Sequence, residues 1–64
     1  MKIILQLGDA DVDMLMRLAA AAQNAIEYEK KAGRPSGNLM GLRVNGLYYS
    51  VKWGKDSVTV WPNG

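Results

Sequence analysis

Residues 39–53 read LMGLRVNGLYYSVKW, and the fold is decided by how this stretch pairs with itself. Two β-prone runs, LMGLRV (39–44) and LYYSVKW (47–53), flank Asn45-Gly46. That dipeptide suits a two-residue type I′ turn, in which both central residues need positive φ. A two-residue loop fixes the register. Val44 is expected opposite Leu47, Leu42 opposite Tyr49 and Met40 opposite Val51, all apolar and all on one face. The other face then receives Arg43 with Tyr48, Gly41 with Ser50 and Leu39 with Lys52. Turn chemistry and side-chain alternation ask for the same pairing, which is what specifies a register strongly.

Working outward, GKDS (54–57) forms a second turn and leads into VTVW (58–61). A four-residue loop there sets Trp53 against Val58 and Val51 against Val60, extending the apolar face. Upstream, GRPSGN (33–38) is rich in turn formers and serves as a connection. Before it, Met14, Leu15, Leu18, Ala19, Ala22, Ala25 and Ile26 fall on one stripe at 100° per residue, with Asp13, Arg17, Gln23, Asn24, Glu27 and Lys31 opposite. Asp9 or Asp11 can cap this helix, and Asp13 suits the positive end of its dipole. Lys30 and Lys31 suit the other end, followed by Gly33 as the C′ residue and Pro35 beyond it. KIILQL (2–7) reads as a first strand that stops at Gly8.

The expected architecture is therefore α+β: a two-layer β-α-β-β-β domain spanning residues 1–64, with one long helix on one face of a roughly four-stranded mixed or antiparallel sheet. The pattern admits two strand orders, 1-2-3-4 with the helix as a right-handed crossover, and 2-3-4-1.

Length and composition limit the function. Sixty-four residues contain no Cys and no His, with eight basic and six acidic side chains. A domain of this size buries only about 60% of its unfolded surface. No disulfide, thiol nucleophile, imidazole base or zinc site of the usual kind can form. The expectation is a non-enzymatic chain without cofactor or metal. Asp9-x-Asp11-x-Asp13 begins like a calcium loop, but Met14 and Ala20 stand where that loop needs its Gly and its Glu. Ser36, Ser50 and Ser57 have no imidazole to activate them. The longest unbroken apolar run, Leu18 to Ala22, is far short of a membrane span, and the start MKIILQLGDADVD lacks a signal-peptide pattern. A cytoplasmic location without membrane contact is expected.

Charge is unevenly placed. Residues 1–29 carry two basic against five acidic side chains, whereas residues 30–64 carry six basic against one acidic. The basic part permits an acidic partner. One helix covers one side of a sheet, so the side chains that the core does not need mark the contact surface: Ile4, Leu39, Arg43, Tyr48, Lys52 and Trp61. Trp, Tyr and Arg are the residue types enriched at protein–protein hot spots. The leading expectation is a protein ligand or inhibitor, anchored by Tyr48 and Trp61, with Arg43 and Lys52 facing an acidic rim. Rings flanked by cations also describe a platform for single-stranded nucleic acid, the alternative ligand for this face. Self-association into a homodimer is the third option. A secondary surface runs along the polar side of the helix through Arg17, Asn24, Tyr28 and Lys31. The bland account is a solvated face, with Arg17 paired to Asp13 and Lys31 to Glu27. In format alone, a short chain sparse in catalytic residues, the protein is similar to phage and mobile-element inhibitors, including anti-CRISPR proteins and host-polymerase inhibitors. No motif carries a family.

Overall fold

The computed structural model describes residues 2–8 and 10–63. Five elements follow one another: β1 (Lys2–Leu5), α1 (Val12–Lys31), β2 (Gly37–Val44), β3 (Leu47–Trp53) and β4 (Ser57–Pro62). They form the expected α+β arrangement, one helix packed on a four-stranded mixed sheet. No helix among the described residues is long and apolar enough to cross a membrane.

Both helix ends are closed by the residues whose chemistry suits them. Asp11 is the N-cap, and its Oδ1 accepts the Met14 amide at 2.7 Å, satisfying one of the free donors of the first turn. Asp9, the other cap considered, lies outside the described residues. At the C-terminus Gly33 adopts φ +91°, a conformation that a Cβ would disfavour. The amides of Gly33 and Arg34 then bond the Lys30 and Glu29 carbonyls, a Schellman closure. Arg34 Nη1 also meets Glu29 Oε2 at 2.9 Å. The expected Arg17–Asp13 and Lys31–Glu27 pairs do not form, since the Arg34–Glu29 contact is the one ion pair among the described residues.

The sheet order is β1-β4-β3-β2, with β1 parallel to β4 and the other pairs antiparallel. Of the two orders that the pattern admits, it is 2-3-4-1, and the order in which the first strand lies beside the second is set aside. Burial explains the choice. The two central strands are those with the densest apolar alternation, and Val51, Val58 and Val60 become wholly or almost wholly buried there. The edges go to the short β1 and to β2, which contains Gly37, Asn38, Gly41 and Arg43. Pro62 stands beyond the last β1–β4 pair, Leu5 with Val60, so its missing N–H removes no ladder bond.

The core on the helix side joins Leu18, Ala22 and Ile26 to Tyr49, Val51, Trp53, Val58 and Val60. Both turns behave as expected. Asn45 and Gly46 have φ of 52° and 78°, and the Gly54 amide bonds the Ser57 carbonyl at 2.9 Å across the second turn.

The hairpin departs from its expected register midway. Val44–Leu47, Arg43–Tyr48 and Leu42–Tyr49 pair as expected, but Leu39 then pairs with Val51, Asn38 with Lys52 and Gly37 with Trp53. Met40 and Gly41 together oppose Ser50, a β-bulge of two residues against one. The gain lies at Trp53. Its ring rests on Gly37, where an added Cβ would stand 3.1 Å from Cζ2, while its Nε1 donates to the Arg34 carbonyl at 3.1 Å. The uninterrupted register would have set Asn38 against that indole. Leu39 is the casualty of the earlier expectation: it belongs to the helix side and packs against the core instead of facing outward. Met40 changes places with it and is 68% exposed.

Candidate interaction surface

The face opposite the helix is assembled by alternation along four strands. Pairing sets Ile4 beside Thr59 and Thr59 beside Lys52, which in turn faces Asn38. One step along, Trp61 lies across from Ser50, with the Met40–Gly41 bulge on the far side. At the next step Tyr48 pairs with Arg43, whose Cζ stands 5.8 Å from the Tyr48 ring centroid, within reach of a cation–π attraction. Five of the six residues assigned to this surface from the sequence therefore share it, and Leu39 is the exception. Tyr48, Arg43 and Lys52 are exposed, whereas Ile4 and Trp61 are half-buried.

A depression of about 350 Å³ sits in the middle of this face, lined among others by Asn38, Met40, Ser50, Trp61 and Asn63. Ser50 is its floor, only 4% exposed although no helix covers it. The end of the chain forms part of its wall. The Asn63 amide bonds the Tyr48 carbonyl at 3.0 Å, and its side-chain Nδ2 reaches across β3 to the Met40 carbonyl at 2.5 Å. The bulge is thereby tied to β4 across the strand between them. Ser50 falls on this face in the expected register too, beside Gly41; Met40 and Asn63 are the residues that sequence reasoning missed. A signal existed for the bulge: an isolated Gly inside a strand pattern often marks one, and Gly41 is of this kind.

Charge on this face has one sign. The four strands contain Lys2, Arg43 and Lys52 and no Asp or Glu. The acids sit elsewhere, on or before the helix and at Asp56 in the second turn.

The secondary helix residues are all exposed, Tyr28 to 73%. They do not converge on one feature. Arg17 borders a cleft of about 710 Å³ between the start of α1 and the β2–β3 turn, together with Asp13, Met14, Asn45, Leu47 and Tyr49. Leu47 is 58% exposed there, at a corner of the sheet that the helix does not roof. Asn45 Nδ2 lies 3.6 Å from Met14 Sδ, linking turn and helix beside the cleft.

No protein-family model matches this chain, nor does any curated protein or solved structure.

Proposed function

We propose that this chain is a small non-catalytic protein ligand that binds a larger protein assembly through its open sheet face and acts by occupying a site sterically. The observation that carries the reading is the uncovered face itself. It sets exposed Tyr48 and Met40 beside half-buried Trp61 and Ile4 on a sheet whose other side already holds the core. Exposed aromatic and Met side chains grouped on one face suit a protein contact, because they offer large apolar area with few ordered polar groups to desolvate.

A protein is favoured over single-stranded nucleic acid by the state of the two rings. Trp61 is half-buried beside the depression, and the Arg43 guanidinium already lies near the Tyr48 ring. That leaves Tyr48 as the one exposed ring of the two, whereas single-strand platforms stack successive bases on several. Two copies meeting through this face would bring Arg43 and Lys52 against their own kind, which disfavours a dimer of that geometry.

The test is a double variant, Tyr48→Ala with Trp61→Ala, checked for native circular dichroism. A partner crosslinked to the wild-type chain in the source cell should be lost by the variant, and its affinity should decline only modestly with salt. Undiminished binding by the folded variant overturns the proposal. So does tight binding to DNA or RNA oligomers whose affinity falls log-linearly with salt. Sedimentation as a dimer in place of a 7.0 kDa monomer, with the open face buried, counts against it as well.

A further inference from the structure

The bulge and the charge on the open face describe what kind of segment fits it. Bulges re-aim side chains, and this one exchanges Leu39 for Met40 on the outer side while Asn63 holds the Met40 carbonyl from across β3. The depression at Ser50 thus has a flexible thioether on one flank and the Trp61 indole on the other. At about 350 Å³ it lies near the lower limit for small-ligand clefts, roughly 300–1,000 Å³. It has room for an inserted apolar side chain.

The cations bracket that depression. Lys52 lies two residues from Ser50 along β3 in one direction. Tyr48, with Arg43 opposite it, lies two residues away in the other. At about 3.3 Å per residue the two cationic positions are roughly 13 Å apart along the strand direction. An extended peptide laid along β3 presents residues i−2, i and i+2 on one side, at the same spacing. No strand acid is present to repel carboxylates.

Taking the open face as the interaction surface, as proposed, we infer that its occupant is an extended acidic segment of a partner protein, of the pattern acid-x-apolar-x-acid. The apolar side chain enters the depression between Met40 and Trp61, and the flanking carboxylates pair with Lys52 and Arg43. Met40 supplies adaptable contact area, and the cations set orientation and speed association.

The experiment is selection of a displayed random dodecapeptide library on the immobilised chain, followed by titration of one enriched synthetic peptide into the ¹⁵N-labelled protein. Enriched sequences should carry acids two positions either side of an apolar residue. The largest shifts should fall at Met40, Ser50 and the Trp61 indole N–H. Met40→Ser should weaken that peptide at least about tenfold, the loss typical of an anchor residue. Lys52→Glu with Arg43→Glu should select basic flanks instead. All three substituted side chains are exposed, so these variants are expected to keep the fold. Peptides that map to the open face without acidic flanks overturn the inference and leave the proposed function standing. Peptides that map to the helix or to the cleft near Arg17, or the absence of any enriched peptide, also overturn it. The proposed function falls separately, if the Tyr48 and Trp61 double variant keeps its natural partner.

Discussion

On the helix side of β3 and β4, Val51 and Val60 are wholly buried, yet their immediate neighbours Lys52 and Trp61 lie on the opposite side, exposed and half-buried respectively. Core and open face are here separated by one residue of a strand, not by distance along the chain. Each position is assigned to the core or to the open face by its parity in the register. The bulge at Met40–Gly41 reverses that parity for everything on β2 before it. Substitutions on the two sides should therefore fall into two energetic classes, and a misplaced residue should betray itself by falling into the wrong one.

The largest effect is expected at the centre of the helix side. Leu18 is fully buried against the sheet, and Leu18→Ala removes packed methyl groups and leaves a cavity, at a cost of about 2–5 kcal/mol. A domain of this length has a total stability of only about 3–10 kcal/mol. The Tm should fall by at least about 8 °C, at 4–8 °C per kcal/mol for domains of this size. A melt within 2–3 °C of the wild type would show that the helix is not what covers this face.

Gly37→Ala probes the register at the bulge. The added Cβ would press on the Trp53 ring at 3.1 Å, and that ring is tethered by its bond to the Arg34 carbonyl. Because this bond limits how far the indole can give, overpacking should cost about 1–3 kcal/mol. In the uninterrupted register Gly37 would not face Trp53, and the same change would be close to neutral. Urea denaturation of this one variant thus decides between the two pairings.

How far the sequence disclosed this molecule follows from which signals were local. The helix limits, the Asn45-Gly46 turn and the pairing from Val44 to Leu42 depend on nearest neighbours and on alternation, and all were legible. The bulge was not. Gly41 hints at a bulge but does not place it, since Leu39 and Met40 serve equally well as the inward residue by hydrophobicity. What decides between them is the fit of Trp53 over Gly37, a contact between residues sixteen positions apart. The strand order was undecided for a similar reason, because it depends on which strands gain most from central positions. The open face was legible as a place, with Ile4, Arg43, Tyr48, Lys52 and Trp61 on it. Ser50 was legible there as well, beside Gly41, whereas the exposed Met40 and the Asn63 bond to its carbonyl were not, because they follow from the bulge.

At the helix start, Asp11→Ala removes the acceptor that holds the Met14 amide. The expected loss is about 1 kcal/mol, read as a Tm decrease of roughly 4–8 °C. Asp11→Asn should recover most of it, since an Asn cap keeps a side-chain oxygen in place. If Asn recovered nothing, the carboxylate charge against the helix dipole would be the dominant effect instead of the hydrogen bond.

The smallest expected effect is the one that sharpens the contrast most. Met40 is apolar, lies within a strand and has a core residue on the strand beside it, so by sequence alone it belongs with Val51. In the fold it is 68% exposed, and its neighbour Leu39 occupies the inward position. Met40→Ser should consequently change stability by no more than about 0.5 kcal/mol, as for other surface positions. Leu39→Ser, one residue away, should cost several times as much, because it exchanges a packed apolar side chain for a hydroxyl on the core side. Equal losses at the two positions would mean that both contribute to the core and that the bulge does not divide them. A loss at Leu39 alone, measured together with weakened peptide binding at Met40 alone, would separate stability from recognition at adjacent residues.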